Sequence, residues 1–410
     1  MLSTAWSLGS AIYPSRRCRQ HAVHIASFSH HTLLDSLYNV THIFSIPLYF
    51  LPCIKKHYVS PLQHNTPTMI NTPPPLIPPL SSTGYSFSPG GLLFPYHLGA
   101  ITSLEHHGRL DDSTHLAGAS AGAIAVASHA SQTPPEKSLE GAITVCEECE
   151  SQFGGKAVGK LLPLLKVVLE EHFSEDAHTV INEREGITAL AHRELFPNNR
   201  PVLMTQFDTR DDLIEAVCDS SMFPFFSTPF PVRLRYKEGE RIPRVVVDGF
   251  FTVPRERYGC PDFAHLNFDN HIDEKLRSMG GVLVDENQTN DSDDQSNNNL
   301  DDERNDIPII ERTITVACFP HETVGLTASV KHDQISPEPD FDDPVGQTQE
   351  LFRYATKPSS RKELEGLYER GWADAEKWNY EEELREKKLM EDWLKERTME
   401  EEALRRGDLF

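Results

Sequence analysis

The chain has 410 residues, of which 38% are hydrophobic and 25% charged, with 39 Lys and Arg against 62 Asp and Glu for a net charge of −23. So acidic a chain makes a poor nucleic-acid binder, because phosphate contacts need Lys and Arg. The charge is also uneven: residues 1–84 carry five basic residues and one acid (+4), leaving 34 basic and 61 acidic (−27) in 85–410.

Residues 1–83 are rich in Ser, His, Pro and Thr and end in a Pro run (Pro73–Pro75, Pro78, Pro79). This composition reads as a disordered extension that targets an organelle or a membrane, closed by a Pro-rich linker. The other reading is an unstructured extension upstream of a start at Met69. The longest apolar run in it, Ile43–Ile54, is a dozen residues broken by Pro47 and Pro52, too short to span a bilayer.

From residue 84 the pattern changes. Gly84–Phe87 is β-prone, Ser88–Gly91 is a turn, and Pro95–His106 has helical spacing with Leu98, Ile101 and Leu104 on one face. His115–Ala117 enters Gly118-Ala119-Ser120-Ala121-Gly122, and Ala121–Ala130 is helix-compatible. Strand, turn, helix, strand, sharp turn, helix predicts a βαβα unit opening an α/β fold. Further on, Cys146 and Cys149 form a lone C-x-x-C in a Glu-rich stretch, read as two thiols on a helix face rather than a metal site. Leu161–His172 reads as an amphipathic helix. Pro201–Phe207, Arg244–Val247 and Thr313–Phe319 read as buried strands. Asp285–Asp306 reads as a disordered acidic insertion, and it holds Asn287 in an acceptor sequon. Residues 361–404 read as a charged helix laying one stripe, including Leu364, Leu367, Ala375 and Trp378, on the domain.

Three features carry chemistry. Gly118-x-Ser120-x-Gly122 fits a nucleophile elbow, in which small flanking residues let the backbones close around an exposed serine. Gly90-Gly91 sits where a strand gives way to a helix, so its N–H groups can face developing negative charge. Asp248 ends the run Val245–Val247 ahead of Gly249, where a buried carboxylate could take the proton of a serine hydroxyl. No P-loop, no dinucleotide-binding G-x-G-x-x-G and no calcium loop is present.

In this order, Ser86–Gly91 with Tyr96–Gly99, then Gly118–Gly122, then Val247–Gly249 resemble the patatin-like phospholipase family. Asp212–Ala216 and Ser220–Pro224 are similar to its triglyceride-lipase branch. The resemblance implies a three-layer α/β/α sandwich over residues 84–330, flanked by the 1–83 extension and a helical region over 331–410. It implies a lipid acyl hydrolase with Ser120 as nucleophile, Asp248 as its partner, and Gly90, Gly91 and Ala121 as oxyanion donors. With no calcium loop, neither metal nor cofactor is expected. A glycerolipid substrate is expected, and the acidic charge leaves peripheral association with a membrane or lipid droplet to apolar contact, to the basic N-terminus or to a neutral interface. Pro89, Phe94 and Phe250 stand where the family usually has glycine, and Leu93 where some members carry a basic residue. Two alternatives stay open: a patatin-like lipid-binding protein with weakened catalysis, and an α/β-hydrolase triad completed by His321. Met222–Phe230, apolar and broken by prolines, could line an acyl channel or touch lipid.

Overall fold

The computed structural model describes residues 83–236, 242–263, 310, 312–327 and 330–406. The expectations for 1–82, for the acidic insertion 285–306 and for Asn287 lie outside the described residues.

The strands are β1 (Thr83–Phe87), β2 (His115–Ala119), β3 (Thr188–Phe196), β4 (Arg200–Met204), β5 (Arg233–Arg235), β6 (Arg244–Val247), β7 (Arg312–Val316) and β8 (Gln334–Ile335). They form one sheet in the order β5-β6-β3-β2-β1-β7-β8, with β4 also on β3. β3-β2-β1-β7-β8 is parallel, whereas β4 and β6 run antiparallel to β3 and β5 antiparallel to β6. The helices are α1 (Phe94–His106), α2 (Ala121–Ala130), α3 (Pro135–Phe153), α4 (Leu161–His172), α5 (Ala177–Glu183), α6 (Arg210–Ser220), α7 (His321–Val324), α8 (Pro344–Thr356) and α9 (Arg361–Arg406). Helices and helical turns flank the sheet on both sides, as the sequence predicts for a layered α/β protein.

One face of the sheet (Tyr85, Phe87, Leu116, Leu190, Ile314, Val316) forms the main core with α1, α2, α6 and Trp378 of α9. The other face presents alanines, Ala117, Ala119, Ala189 and Ala191, to Phe263 and the segment after β6. Cys146 and Cys149 are both buried on α3.

Two strands differ from their expected bounds. Pairing with β3 ends at Met204, and pairing with β1 ends at Val316, so the apolar residues that follow each are buried loop. β3 itself escapes a reading by alternation, because its first five residues are buried on both faces.

The helix α9 is welded to α1. A Cβ added to Gly99 would lie 2.0 Å from the Tyr368 carbonyl oxygen, and one added to Gly371 1.9 Å from that of Tyr96. Two backbones therefore touch with no side chain between them. Around this crossing Leu364, Leu367 and Trp378 are buried, each worth about 1.5–3 kcal/mol relative to exposure. Tyr96 Oη donates to Asp374 at 2.8 Å, and Arg312 of β7 clasps Glu382 through both nitrogens.

Candidate active site

Ser120 closes β2 and opens α2 at φ 54, ψ −119, a conformation that L residues avoid and that lifts the side chain above the sheet. The sequence permits it because its surroundings are nearly all backbone. A Cβ on Gly122 would stand 2.4 Å from the Phe87 carbonyl oxygen, and one on Gly118 2.4 Å from that of Gly122. Ser120 is 8% exposed.

Asp248 reaches the serine by a route different from the one its position after a buried strand suggests. β6 is antiparallel to the parallel core, so it brings its C-terminal end inward from the rim. β3 outruns β2: Ala191 pairs with Ala119, while Arg193 pairs with Val247 on the same edge. The two strands thus meet head to head along β3. Gly249 fills the junction, where a Cβ would lie 2.4 Å from the Ala191 carbonyl oxygen and 2.8 Å from the Ala119 Cβ.

The carboxyl of Asp248 is fully buried. Burial pushes its pKa up to about 7, against the opposing pull of the Phe250 amide and the Ser120 hydroxyl. Its Oδ1 accepts the Phe250 N–H at 2.8 Å, while Oδ2 has no hydrogen-bond partner among the described residues. Ser120 is therefore close enough to favour the ionised carboxylate without a closed hydrogen bond to it. The Phe250 side chain, at the position expected to be glycine, leaves that amide contact intact and joins an aromatic cluster with Phe223, Phe251 and Tyr258.

The glycine turn lies against the elbow. An added Cβ on Gly90 would be 3.5 Å from the Ala121 Cβ, and Gly91 has φ +58. Among the described residues no acceptor takes the N–H of Gly90, Gly91 or Ala121. Pro89, which has no N–H, packs on Gly259, and Phe94 is buried in the main core. Beneath the turn the ring of His97 donates from Nε2 to the Ser88 carbonyl at 2.7 Å. Burial lowers its pKa to about 4, which keeps it a neutral structural donor.

A further residue emerges that the sequence flagged only within a stretch of resemblance. The Ser220 hydroxyl accepts the Ser120 backbone N–H at 2.9 Å. Ser220 follows the buried Asp219, which ion-pairs with Arg233 and Arg235 of β5, and Asp248 N–H donates to the Met222 carbonyl at 2.9 Å. The 219–222 segment thereby braces both members of the pair. Nothing in a linear reading marks a serine one hundred residues downstream as the acceptor for that amide.

His321 stands apart. It opens α7 beyond β7, its Nδ1 is engaged with Ser336 Oγ, and burial alone lowers its pKa to about 4. Among the described residues the hydrogen bond to the Asp248 carboxyl comes from the Phe250 amide, and His321 Nδ1 is engaged elsewhere.

With this geometry in view, residues 85–257 match the family model for patatin-like phospholipase. The chain carries a patatin-like phospholipase domain. Human 1-acylglycerol-3-phosphate O-acyltransferase PNPLA3 is 28% identical over 202 residues, 46% of this chain and 41% of its own length. Patatin-like phospholipase domain-containing protein 2 of rat and of mouse are each 27% identical over 165 residues, 38% of this chain and 33% and 32% of theirs. The chain thus spans about a third to two fifths of the curated relatives it matches. The patatin-like domain ends, in that match, before β7 and α9, so the helix welded to α1 lies beyond the matched residues.

Among the described residues no helix is long and apolar enough to cross a membrane, and no group of three His, Cys, Asp or Glu could hold a metal.

Proposed function

We propose that the patatin-like domain is a lipid acyl hydrolase working through a Ser120–Asp248 dyad. The observation that carries this reading is the meeting of a strained, nearly buried serine with a fully buried carboxyl whose pKa lies near neutrality. A carboxylate of that basicity is matched to accepting a hydroxyl proton near pH 7.

In the first step Ser120 Oγ bonds to the ester carbonyl carbon and its proton passes to Asp248. The oxyanion is received by the N–H groups of Gly90, Gly91 and Ala121, each such donor worth roughly 3–4 kcal/mol to the transition state. Collapse breaks the ester bond and the leaving alkoxide takes the proton from Asp248. Water then attacks the acyl-enzyme by the same route reversed. The half-buried rings of Phe223, Phe226, Phe250 and Phe251 supply an apolar wall for a fatty-acyl chain. A glycerolipid ester, either triacylglycerol or phospholipid, suits that wall and the resemblance to the triglyceride-lipase branch. The name of the human relative includes acyl transfer; here that would mean the acyl-enzyme passing to a lipid hydroxyl in place of water.

A fluorophosphonate probe should label the wild type and leave Ser120→Ala unlabelled. Absence of wild-type labelling would support the weakened lipid-binding alternative instead. Release of fatty acid from a panel of triacylglycerol, phospholipid and galactolipid, blanked with Ser120→Ala, would then name the ester.

A further inference from the structure

The run Met222–Phe230 divides by direction. Phe223 and Phe226 turn inward: Phe223 stacks on Phe251, and the Phe226 ring lies 3.6 Å from where a Cβ on Gly91 would be. Phe225 and Phe230 turn outward, 44% and 65% exposed. Phe225 holds φ +60, which a bulky side chain adopts only under constraint.

The constraint is a closed loop. Phe225 N–H donates to the Phe230 carbonyl at 3.1 Å, Phe226 and Ser227 N–H both donate to the Phe223 carbonyl, and Ser227 Oγ donates to the Ser221 carbonyl at 2.6 Å. Pro224, Pro229 and Pro231 stiffen it further. The ring of Phe225 is therefore held out in water by a rigid frame. A second loop lies against the first: Gly159 N–H donates to the Phe226 carbonyl, and Leu162 N–H donates to the Ser227 carbonyl at 2.9 Å. That places Val158, 57% exposed, beside the tip.

The tip differs in charge from the domain that carries it. Residues 220–232 contain no charged residue, and 151–169 contain Lys156, Lys160 and Lys166 with no acid, Lys166 being paired with Glu215, whereas residues 85–257 hold 24 acids against 16 basic residues, a net −8. An acid-free apolar tip on a net acidic domain suits a surface without negative charge.

We propose that Phe225, Phe230 and Val158 form the face by which this domain seats on a neutral, zwitterionic lipid surface, the tip entering at the headgroup level. The loop runs from this tip back to the Gly91 turn and to the Met222 carbonyl that holds the Asp248 amide, so a seated tip brings the site to the lipid. The choice of lipid as partner rests on the hydrolase reading above.

The test is flotation of the full chain with phosphatidylcholine-coated triolein emulsions, read beside hydrolysis of a soluble butyrate ester. Phe225→Ser with Phe230→Ser should lower the bound fraction at least fivefold and keep soluble-ester turnover within twofold; Val158→Ser should lower binding by a smaller factor. Phe225→Gly, which suits φ +60, should bind lipid less without lowering the melting temperature. Binding by the double variant equal to wild type, or binding by wild type to phosphatidylserine vesicles alone, overturns the proposal. So does a Phe225→Gly chain that melts lower and binds undiminished. If no form hydrolyses the soluble ester while flotation still depends on Phe225 and Phe230, the docking face stands and the hydrolase reading falls.

Discussion

The elbow at Ser120 and the crossing of α1 with α9 solve one geometric problem in two settings. Both bring backbone against backbone by leaving out side chains, through Gly118 and Gly122 in one place and Gly99 and Gly371 in the other. At the elbow the closeness strains Ser120, the residue proposed as nucleophile. At the crossing it joins α1, which carries the glycine turn on its N-terminal end, to a helix outside the matched domain. Strain is thus stored at the proposed nucleophile, while at the crossing the same closeness locks two helices together.

The largest expected break is on the elbow side. Ser120→Ala should lower ester turnover by roughly 10³-fold or more, as loss of a nucleophile does, with the melting temperature unchanged or raised. A comparable loss of stability in that variant would make the elbow a packing device like the crossing.

Asp248→Asn should cost about 10²–10⁴ in kcat/KM, the usual scale for a general base. In the wild type, activity should fall as pH drops through about 7, where the carboxylate takes up its proton. Stability should move the opposite way. Burial penalises the charged form, so the folded state is favoured while Asp248 is protonated and loses that advantage as pH rises from about 4 through about 7. Each tenfold difference in proton affinity between the folded and unfolded chain corresponds to about 1.4 kcal/mol. Asp248→Asn should lack this decline, which melting curves at pH 5 and pH 8 would show as a gain relative to wild type that is clearly larger at the higher value.

On the crossing side, Gly371→Ala forces a methyl group to within 1.9 Å of a carbonyl oxygen and should cost about 1–3 kcal/mol of stability by urea titration. Activity per folded molecule should fall less than tenfold; a larger loss would mean that α9 positions the glycine turn as well as supporting it.

Ser220→Ala removes one hydrogen bond to the Ser120 amide and should reduce kcat about tenfold with little change in KM, in line with the roughly 1–1.5 kcal/mol of one such bond. His321→Ala should change turnover less than twofold; a collapse as deep as that of Ser120→Ala would restore the triad.

Much of the elbow side is readable in the one-dimensional text. Ala121–Ala130 and Leu161–His172 appear as helices with the bounds the sequence suggests, and Arg244–Val247 as a strand with its own. They do so because helical period, flanking glycines and β-branched runs are local properties. β3 was hidden because a strand buried on both faces has no alternation to show. The direction of β6 was hidden too, since a buried apolar run looks the same in either orientation. Leu364, Leu367, Ala375 and Trp378 were legible as a stripe, but their seat on α1 was not, because Gly99 and Gly371 are 272 positions apart.

By itself, then, the sequence determined the local chemistry: a serine between two glycines, a glycine turn upstream, a carboxylate after a β-branched run, and a net charge of −23 heavily weighted toward residues 85–410. Only the tertiary structure decided that an antiparallel β6 meets β2 end to end on β3, that Ser220 takes the Ser120 amide, and that Phe225 and Phe230 point to water while Phe223 and Phe226 do not. The reason is physical. Turns and helices follow from neighbours along the chain, whereas strand direction, burial and the pKa of Asp248 depend on groups that folding brings in from distant positions.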